Sequence, residues 1–184
     1  MTPRPPTLEN DRVLLSPLTM DNYPLLYPVA AEEKLVQYSP SDIQTPEALK
    51  RYVELALEKQ KRNAAIPFLV FDKKINQYAG STRFMNMDHI NRTLEIGSTW
   101  IGREFQGSGL NKQMKILMLD HAFNKMDFEK VEFRIDERNV RSRKAVEKLG
   151  AKLEGILRKN VYLLDGYKRN TCCYGILREE WNDR

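Results

Sequence analysis

One short stretch combines glycine and polar side chains at a spacing that suits anion binding. It runs from Arg103 to Asn111 and reads Arg-Glu-Phe-Gln-Gly-Ser-Gly-Leu-Asn. The glycines at 107 and 109 let the backbone turn sharply and let a ligand approach without a Cβ in the way. A helix that begins here would present unpaired N–H groups to an anion such as a pyrophosphate. A plain strand-to-helix turn is the alternative that this stretch leaves open.

This loop does not match two common nucleotide-binding patterns. A P-loop would need Gly-Lys followed by Ser or Thr, and no such run follows Gly109. A Rossmann fingerprint would need a third glycine near position 112, which is Lys112. Neither pattern therefore assigns the loop, and a plain turn stays open beside an anion site of a different kind.

The strand predicted at Thr93–Ile101, just before the loop, carries a candidate general base. Its alternation predicts two faces, with Leu94, Ile96 and Trp100 on one and Glu95, Gly97 and Thr99 on the other. A carboxylate on the polar face can accept a proton directly or through one water. A solvated or ion-paired strand carboxylate is the alternative for Glu95.

The other reactive side chains are interpreted as structural. His121 lies on an apolar helix stripe and His89 lies in a polar turn. Cys172 and Cys173 are adjacent in a predicted strand, so one of them must face the core. Two neighbouring cysteines build neither a disulfide framework nor a zinc site, which fits a reducing compartment. The sequence contains no cluster with metal-ligand spacing, so no metal is expected.

Hydrophobic periodicity predicts the elements that position these groups. Thr45 can cap a helix that begins at Pro46, after one or two short helices between residues 20 and 34. Further predicted elements are strands at 13–15, 67–71, 78–84 and 131–135, a long helix after the loop with Leu110, Met114, Leu117, Met118 and His121 on one stripe, a helix at 140–149 that stops at Gly150, and two strands within 152–177 joined at Asp165-Gly166.

Length and composition predict a single domain over residues 1–184, the order of the predicted elements makes it an α/β domain, and the proline-rich residues 1–7 are predicted to be a loose arm. The 184 residues are 41% hydrophobic and 30% charged, which is enough apolar material for a core. The longest apolar runs are far shorter than a membrane span, and the N-terminus has no secretory pattern, so a cytoplasmic protein is expected. The net charge of +5 favours anionic partners, but the basic residues are spread along the chain, which argues against a nucleic-acid module.

The loop resembles the acyl-CoA pyrophosphate loop of the GNAT N-acetyltransferase superfamily, whose pattern is Gln/Arg-x-x-Gly-x-Gly/Ala. Gln106, Gly109 and Asn111 occupy the three defined positions, and Asn111 departs from the Gly/Ala rule. The segment Asp136–Ala151 is similar to the family's Asn-x-x-Ser/Ala…Glu-Lys-Leu-Gly-Phe motif, and Leu94–Trp100 is similar to the strand before the loop. With Asp165-Gly166 in a terminal hairpin, the chain most resembles the branch of ribosomal-protein N-terminal-alanine acetyltransferases.

The resemblance implies a central mixed, mostly antiparallel sheet flanked by helices, with one pair of strands splayed apart. Acetyl-CoA is the implied co-substrate, and its pantetheine arm would lie between the strands that end near Ile101 and begin near Val131. The implied oxyanion donor is a backbone N–H near Ser98 to Trp100. The implied cofactor-binding residues are Ser98, Thr99, Trp100, Ile101, Gln106, Gly107, Ser108, Gly109, Leu110, Asn111, Asn139 and Ser142.

Two positions after the second motif have implied roles at the thiol. Asn139 precedes a helix and is a good N-cap, and the family uses this position near the pantetheine arm. The tyrosine with which many relatives protonate the leaving thiolate would fall at Val146, which cannot donate a proton. Ser142 shares a predicted helix face with Val146, so it is the substitute acid, with a merely packed hydroxyl as the alternative.

The sequence therefore predicts an acetyl-CoA-dependent N-acetyltransferase with Glu95 and Ser142 as catalytic residues. The expected acceptor is a primary amine, with a protein N-terminus first and a polyamine or amino sugar second. A non-catalytic acyl-CoA sensor and a nucleic-acid module are the rival classes. The acceptor's identity and the oligomeric state, a homodimer included, stay open.

Overall fold

A computed structural model describes residues 5–183, and eight strands and five α-helices are assigned within that range. The strands are β1 Leu8–Glu9, β2 Val13–Pro17, β3 Ala65–Asp72, β4 Gln77–Asp88, β5 Thr93–Ile101, β6 Lys130–Asp136, β7 Lys152–Tyr162 and β8 Lys168–Leu177. The helices are α1 Tyr27–Ala30, α2 Pro46–Lys61, α3 Leu110–Asn124, α4 Val140–Glu147 and α5 Arg178–Asn182, with short 3-10 turns at Tyr23–Leu26 and Arg103–Phe105.

The strands form one sheet in the order β1-β2-β3-β4-β5-β6-β8-β7. Every neighbouring pair is antiparallel except β5 and β6, which run parallel. A parallel pair needs a crossover between its strands, and α3 provides it. The predicted fold class, a single mixed and mostly antiparallel sheet flanked by helices, is confirmed.

The local signals read from the sequence are largely confirmed. Thr45 accepts a hydrogen bond from the Ala48 N–H at the start of α2, as a capping residue does. Gly150 follows α4 with a φ of +88°. The short helices predicted around Pro24 and Pro28 are present as the 3-10 turn and α1, and each proline is the second residue of its element. Of the arm at 1–7, residues 1–4 lie outside the described range and 5–7 belong to no helix or strand.

Helix α3 buries a different face from the one predicted. Leu110, Met114 and Met118 are buried as expected, but Leu117 and His121 are only half-buried. The buried side instead continues through Lys115, Leu119, Ala122 and Phe123. The prediction assigned only residues spaced three or four positions apart to the buried stripe. The buried face of α3 is wider and also includes residues 115 and 119. A lysine therefore lies within the buried face of this helix.

A bulge in β5 changes the face on which its last residues lie. Ser98 has a φ of +45°, and the register between β4 and β5 shifts between Ser81 and Arg83. After the bulge, Thr99 lies on the α3 side of the sheet, where its hydroxyl meets Lys115. Trp100 lies on the α2 side, where its indole N–H donates to the Tyr52 hydroxyl. The predicted faces are thus correct for residues 94–97 and wrong for Thr99 and Trp100, because one extra residue inverts the alternation.

No helix among residues 5–183 is long and apolar enough to cross a membrane.

Candidate active site

The parallel strands β5 and β6 pair over three residues and then separate. Their register runs Thr93–Lys130, Leu94–Val131 and Glu95–Glu132, and it ends there although both strands continue. Among residues 5–183, the side of β5 that faces β6 therefore has no strand partner beyond Glu95. Backbone N–H and C=O groups need hydrogen-bond partners, so this wedge-shaped gap is suited to an extended, amide-containing ligand.

The glycine-rich loop lies at the end of β5 and opens α3. Gly107 and Gly109 have φ values of +76° and +87°, a region that side chains with a Cβ seldom adopt. A Cβ built on either glycine has no atom within 4 Å, so the space in front of both is open. The loop thus provides an open cradle at a helix N-terminus, as the anion-binding prediction requires.

Side chains of the loop hold its own backbone in place. The Gln106 amide donates to the Ile101 carbonyl at 2.9 Å, and its oxygen accepts from Arg141 of α4. The Ser108 hydroxyl donates to the Phe105 carbonyl at 2.6 Å. The first helical N–H with a backbone partner belongs to Gln113, which donates to Gly109. Asn111 and Lys112 lie between Gly109 and Gln113, and their backbone N–H groups have no acceptor among residues 5–183.

Glu95 lies at the point where the gap begins, and 6% of its surface is exposed. Its Oε2 accepts a hydrogen bond from the Asn86 amide at 2.8 Å and lies 3.8 Å from Arg134 Nε. Burial raises the pKa of this carboxyl above its usual value, while Asn86 and Arg134 oppose that shift. The side chain is therefore a buried carboxyl group with Arg134 as an ion-pair partner, and not a solvated one.

The bulge residues are held by an aromatic cluster on the α2 side. The Tyr52 hydroxyl donates to the Ser98 carbonyl at 3.3 Å and accepts from Trp100 at 3.2 Å. Arg83 stacks on the Tyr52 ring, 4.5 Å from its centroid, and is 5% exposed. This cluster holds the Ser98 carbonyl in place at the bulge.

Helix α4 follows β6 and packs against it, and the first residues of α4 were singled out from the sequence. The Asn139 side chain accepts from the Ser142 N–H at 3.2 Å, so its role as N-cap is confirmed. Ser142 is half-buried and Val146 is buried. The predicted shared face of this helix is thus present, with no tyrosine on it.

Several contributors to the site were not predicted from the sequence. Asn86, Tyr52, Arg83 and Arg134 lie outside the sequence motifs, and the pairing of β4, β5 and β6 together with the packing of α2 brings them to the site. Lys115 was missed although a signal existed, since it follows Met114 inside the apolar pattern of α3.

Cys172 is buried and Cys173 half-buried, and burial raises the pKa of both thiols, which argues against a nucleophilic role. Among residues 5–183, no group of three or more potential metal ligands is found.

Comparison with known proteins identifies the family. The family model described as "Acetyltransferase (GNAT) domain" matches residues 12–152. The curated "Putative ribosomal N-acetyltransferase YdaF" of Bacillus subtilis (strain 168) is 30% identical over 102 residues, about 55% of each chain. The ribosomal-protein-serine acetyltransferase of Escherichia coli (strain K12) is 25% identical over 128 residues, 70% of each chain. A crystal structure of a "putative acetyltransferase" from T. thermophilus is 33% identical, with a TM-score of 0.85 over 100% of this chain and 95% of that one.

An open cradle at a helix N-terminus beside a splayed parallel strand pair is compatible with an acyl-CoA-dependent acyltransferase. The chain belongs to the GNAT acetyltransferase family, and it is an acetyl-CoA-dependent N-acetyltransferase. The residues present fit acetyl-CoA, because the space in front of Gly107 and Gly109 is open and the β5 edge beyond Glu95 has no strand partner in the part of the chain that the structure describes.

Proposed function

We propose that this enzyme acetylates the N-terminal amine of a protein by direct attack on acetyl-CoA, with Glu95 as the general base. The observation that carries the proposal is the position of Glu95, buried at the point where β5 and β6 separate. When bound, acetyl-CoA supplies an activated thioester. Ribosomal-protein acetyltransferases among the similar proteins support a protein acceptor.

Glu95 would remove the proton that keeps the acceptor amine from attacking. An ammonium has no lone pair, so it must lose a proton before the carbon–nitrogen bond forms. Burial raises the pKa of Glu95, which makes its carboxylate a stronger base than an exposed one. Asn86 and Arg134 hold Oε2, so the carboxylate is oriented before the acceptor arrives.

The remaining predicted residues would bind acetyl-CoA. The backbone of Ser98, Thr99, Trp100 and Ile101 would pair with the pantetheine arm, and an N–H at the bulge would stabilise the oxyanion. The pyrophosphate would meet the N–H groups of the loop, which comprises Gln106, Gly107, Ser108, Gly109, Leu110 and Asn111. Asn139 would contact the pantetheine arm besides capping α4, and Ser142 would donate to the leaving sulfur.

Chemistry favours a protein N-terminus over a polyamine. An α-amino group has a pKa of about 7.7–8.0, against about 10.4 for a lysine-type amine, so a carboxylate removes its proton more easily. The charges of Arg134 and Arg169 both act on Glu95 and would repel the additional ammonium groups of a polyamine. A peptide with one amine at its end avoids that repulsion.

A panel of acceptors tests the proposal. We expect a peptide with a free N-terminus to give a higher kcat/KM for thiol release than spermidine or an amino sugar, and the same peptide with a blocked N-terminus to give none. Faster reaction of spermidine would contradict the protein acceptor and favour the polyamine alternative. Calorimetric CoA binding without turnover of any amine would favour the acyl-CoA sensor.

The role of Ser142 leads to a smaller expected effect. Replacing Ser142 with alanine is expected to slow turnover by roughly two- to tenfold, because a neutral hydrogen bond contributes about 0.5–1.5 kcal/mol. The measurement is kcat at several pH values, with a thermal melt to verify folding. Identical profiles for the variant and the wild type would leave Ser142 as a packed hydroxyl.

A further inference from the structure

Lys115 is a buried amine at the wall of the gap between β5 and β6. It lies on the buried face of α3, and 5% of its surface is exposed. Its Nζ donates to the Thr99 hydroxyl of β5 at 2.7 Å and lies 5.9 Å from the centroid of the Phe133 ring of β6. Both contacts are on parts of the two strands beyond their last paired residues, so the amine spans the wedge where the strands have separated.

The surroundings of Lys115 give no structural reason for a charge. No carboxylate among residues 5–183 lies within ion-pair distance of its Nζ. The Thr99 hydroxyl is also hydrogen-bonded to the Thr82 hydroxyl of β4 at 2.7 Å. The Lys115 amine therefore contacts a chain of two neutral hydroxyl groups. Glu95 is the charged residue whose electrostatic interaction affects the Lys115 amine, and it lies beyond ion-pair distance. A buried, unpaired ammonium is costly, and such groups occur where function requires them.

We propose that Lys115 is the general acid of the reaction, and that its Nζ delivers a proton to the sulfur of the leaving CoA. The proposal rests on the proposed function, because it places the thioester in the gap. When the carbon–sulfur bond breaks, its electron pair stays on sulfur. One proton then moves from the Lys115 ammonium to that sulfur, which leaves a neutral amine and a neutral thiol. The amine regains its proton from water after CoA departs.

The acidity of Lys115 suits this transfer. Burial lowers the pKa of its ammonium to about 7, and Glu95 opposes the shift. A thiol has a pKa of about 8.5, so the proton passes downhill from the ammonium to the thiolate. A serine hydroxyl is a far weaker acid than either group and can donate a hydrogen bond without giving up its proton. Lys115 and Ser142 would thus act on the same sulfur in different ways.

The ionisation of bound CoA tests this contact without turnover. In the wild-type enzyme the Lys115 amine is neutral when the thiol of bound CoA ionises and still donates a hydrogen bond to the thiolate, so the thiol pKa should fall below 8.5 by up to about one unit, as read from thiolate absorbance during a pH titration. The variant Lys115→Met has a similar length and no charge, so it should return that pKa to about 8.5 or higher. Ser142→Ala is the matched variant from the other wall, and it should change the thiol pKa by less.

Two further measurements separate the possible outcomes. Affinity for desulfo-CoA, which lacks the sulfur, should be the same in wild type and Lys115→Met. In the acetylation assay, kcat of Lys115→Met should be roughly 10–100-fold lower than that of wild type. This is a small effect for the loss of a general acid, because a thiolate already leaves readily without a proton. Equal thiol pKa values in the two proteins would overturn the proposal, as would an acetyl group on Lys115 in the intact mass. If wild type binds no CoA at all, the proposed function fails rather than the role of Lys115.

Folding of the variant is not expected to obscure the result. The pKa of Lys115 is lowered in the folded state, so the folded protein binds fewer protons than the unfolded chain between about pH 7 and 10.5, and stability rises with pH there. Lys115→Met removes that penalty, so its Tm should be at or above that of wild type at pH 7. Thr99→Val, which removes the acceptor that orients Nζ, is the second variant and should raise the bound thiol pKa in the same direction.

Discussion

Replacing Glu95 with glutamine is expected to lower kcat/KM by roughly 10²–10⁴ near neutral pH, with CoA binding unchanged. Glutamine keeps the shape of the side chain and cannot accept the proton of the acceptor. Because burial raises the pKa of Glu95, kcat/KM of the wild type should fall as the pH drops through that raised pKa. The residual activity of Glu95→Gln should not show this fall of kcat/KM at low pH.

The matched control for Glu95 is its partner across the strand pair. Glu132 lies opposite Glu95 in the register and is half-buried, but it is paired with Lys130 at 3.3 Å and Arg134 at 3.6 Å. Glu132→Gln should therefore retain activity within a few-fold of wild type. Thermal melts should show Glu95→Gln to be at least as stable as wild type at pH 7, since a desolvated carboxylate has been removed. A loss under tenfold at all pH values would make Glu95 a structural residue.

The elements were predictable wherever a local signal sets them. Thr45 and Pro46 specify the start of α2, and Gly150 specifies the end of α4, because a cap or a positive φ depends on one or two residues. The boundaries Thr93–Ile101 of β5 are the same in the prediction and in the structure. The strand signal of β5 extends over nine residues and ends at a glycine-rich loop. These two signals together set both ends of the strand.

The interior of the site was not predictable in the same way. The bulge at Ser98 moves Thr99 to the α3 side and Trp100 to the α2 side, and no residue type in that stretch requires a bulge. Asn86 reaches Glu95 from a second irregularity, where the register of β4 and β5 shifts between Met85 and Asp88. Such contacts depend on the sheet as a whole, whereas the loop at 103–111 depends on its own glycines.

Substitution of Gly109 by valine is expected to abolish measurable CoA binding. A side chain at this position would fill the open space in front of the α3 N-terminus, where the pyrophosphate is proposed to meet the backbone. The φ of +87° also disfavours a β-branched residue, so the variant should lose stability as well as affinity. Calorimetry of the folded variant with CoA is the measurement.

Gly166 is the control that separates these two effects. It has a φ of +81° in the turn between β7 and β8, and a Cβ there also has no atom within 4 Å. Alanine at either glycine should therefore cost a similar free energy of unfolding, about 1–2 kcal/mol for a non-glycine residue in the left-handed region. Only Gly109→Ala should weaken CoA binding, because only that Cβ points into the proposed phosphate site. If Gly109→Val folds and binds CoA as tightly as wild type, the loop does not hold the pyrophosphate.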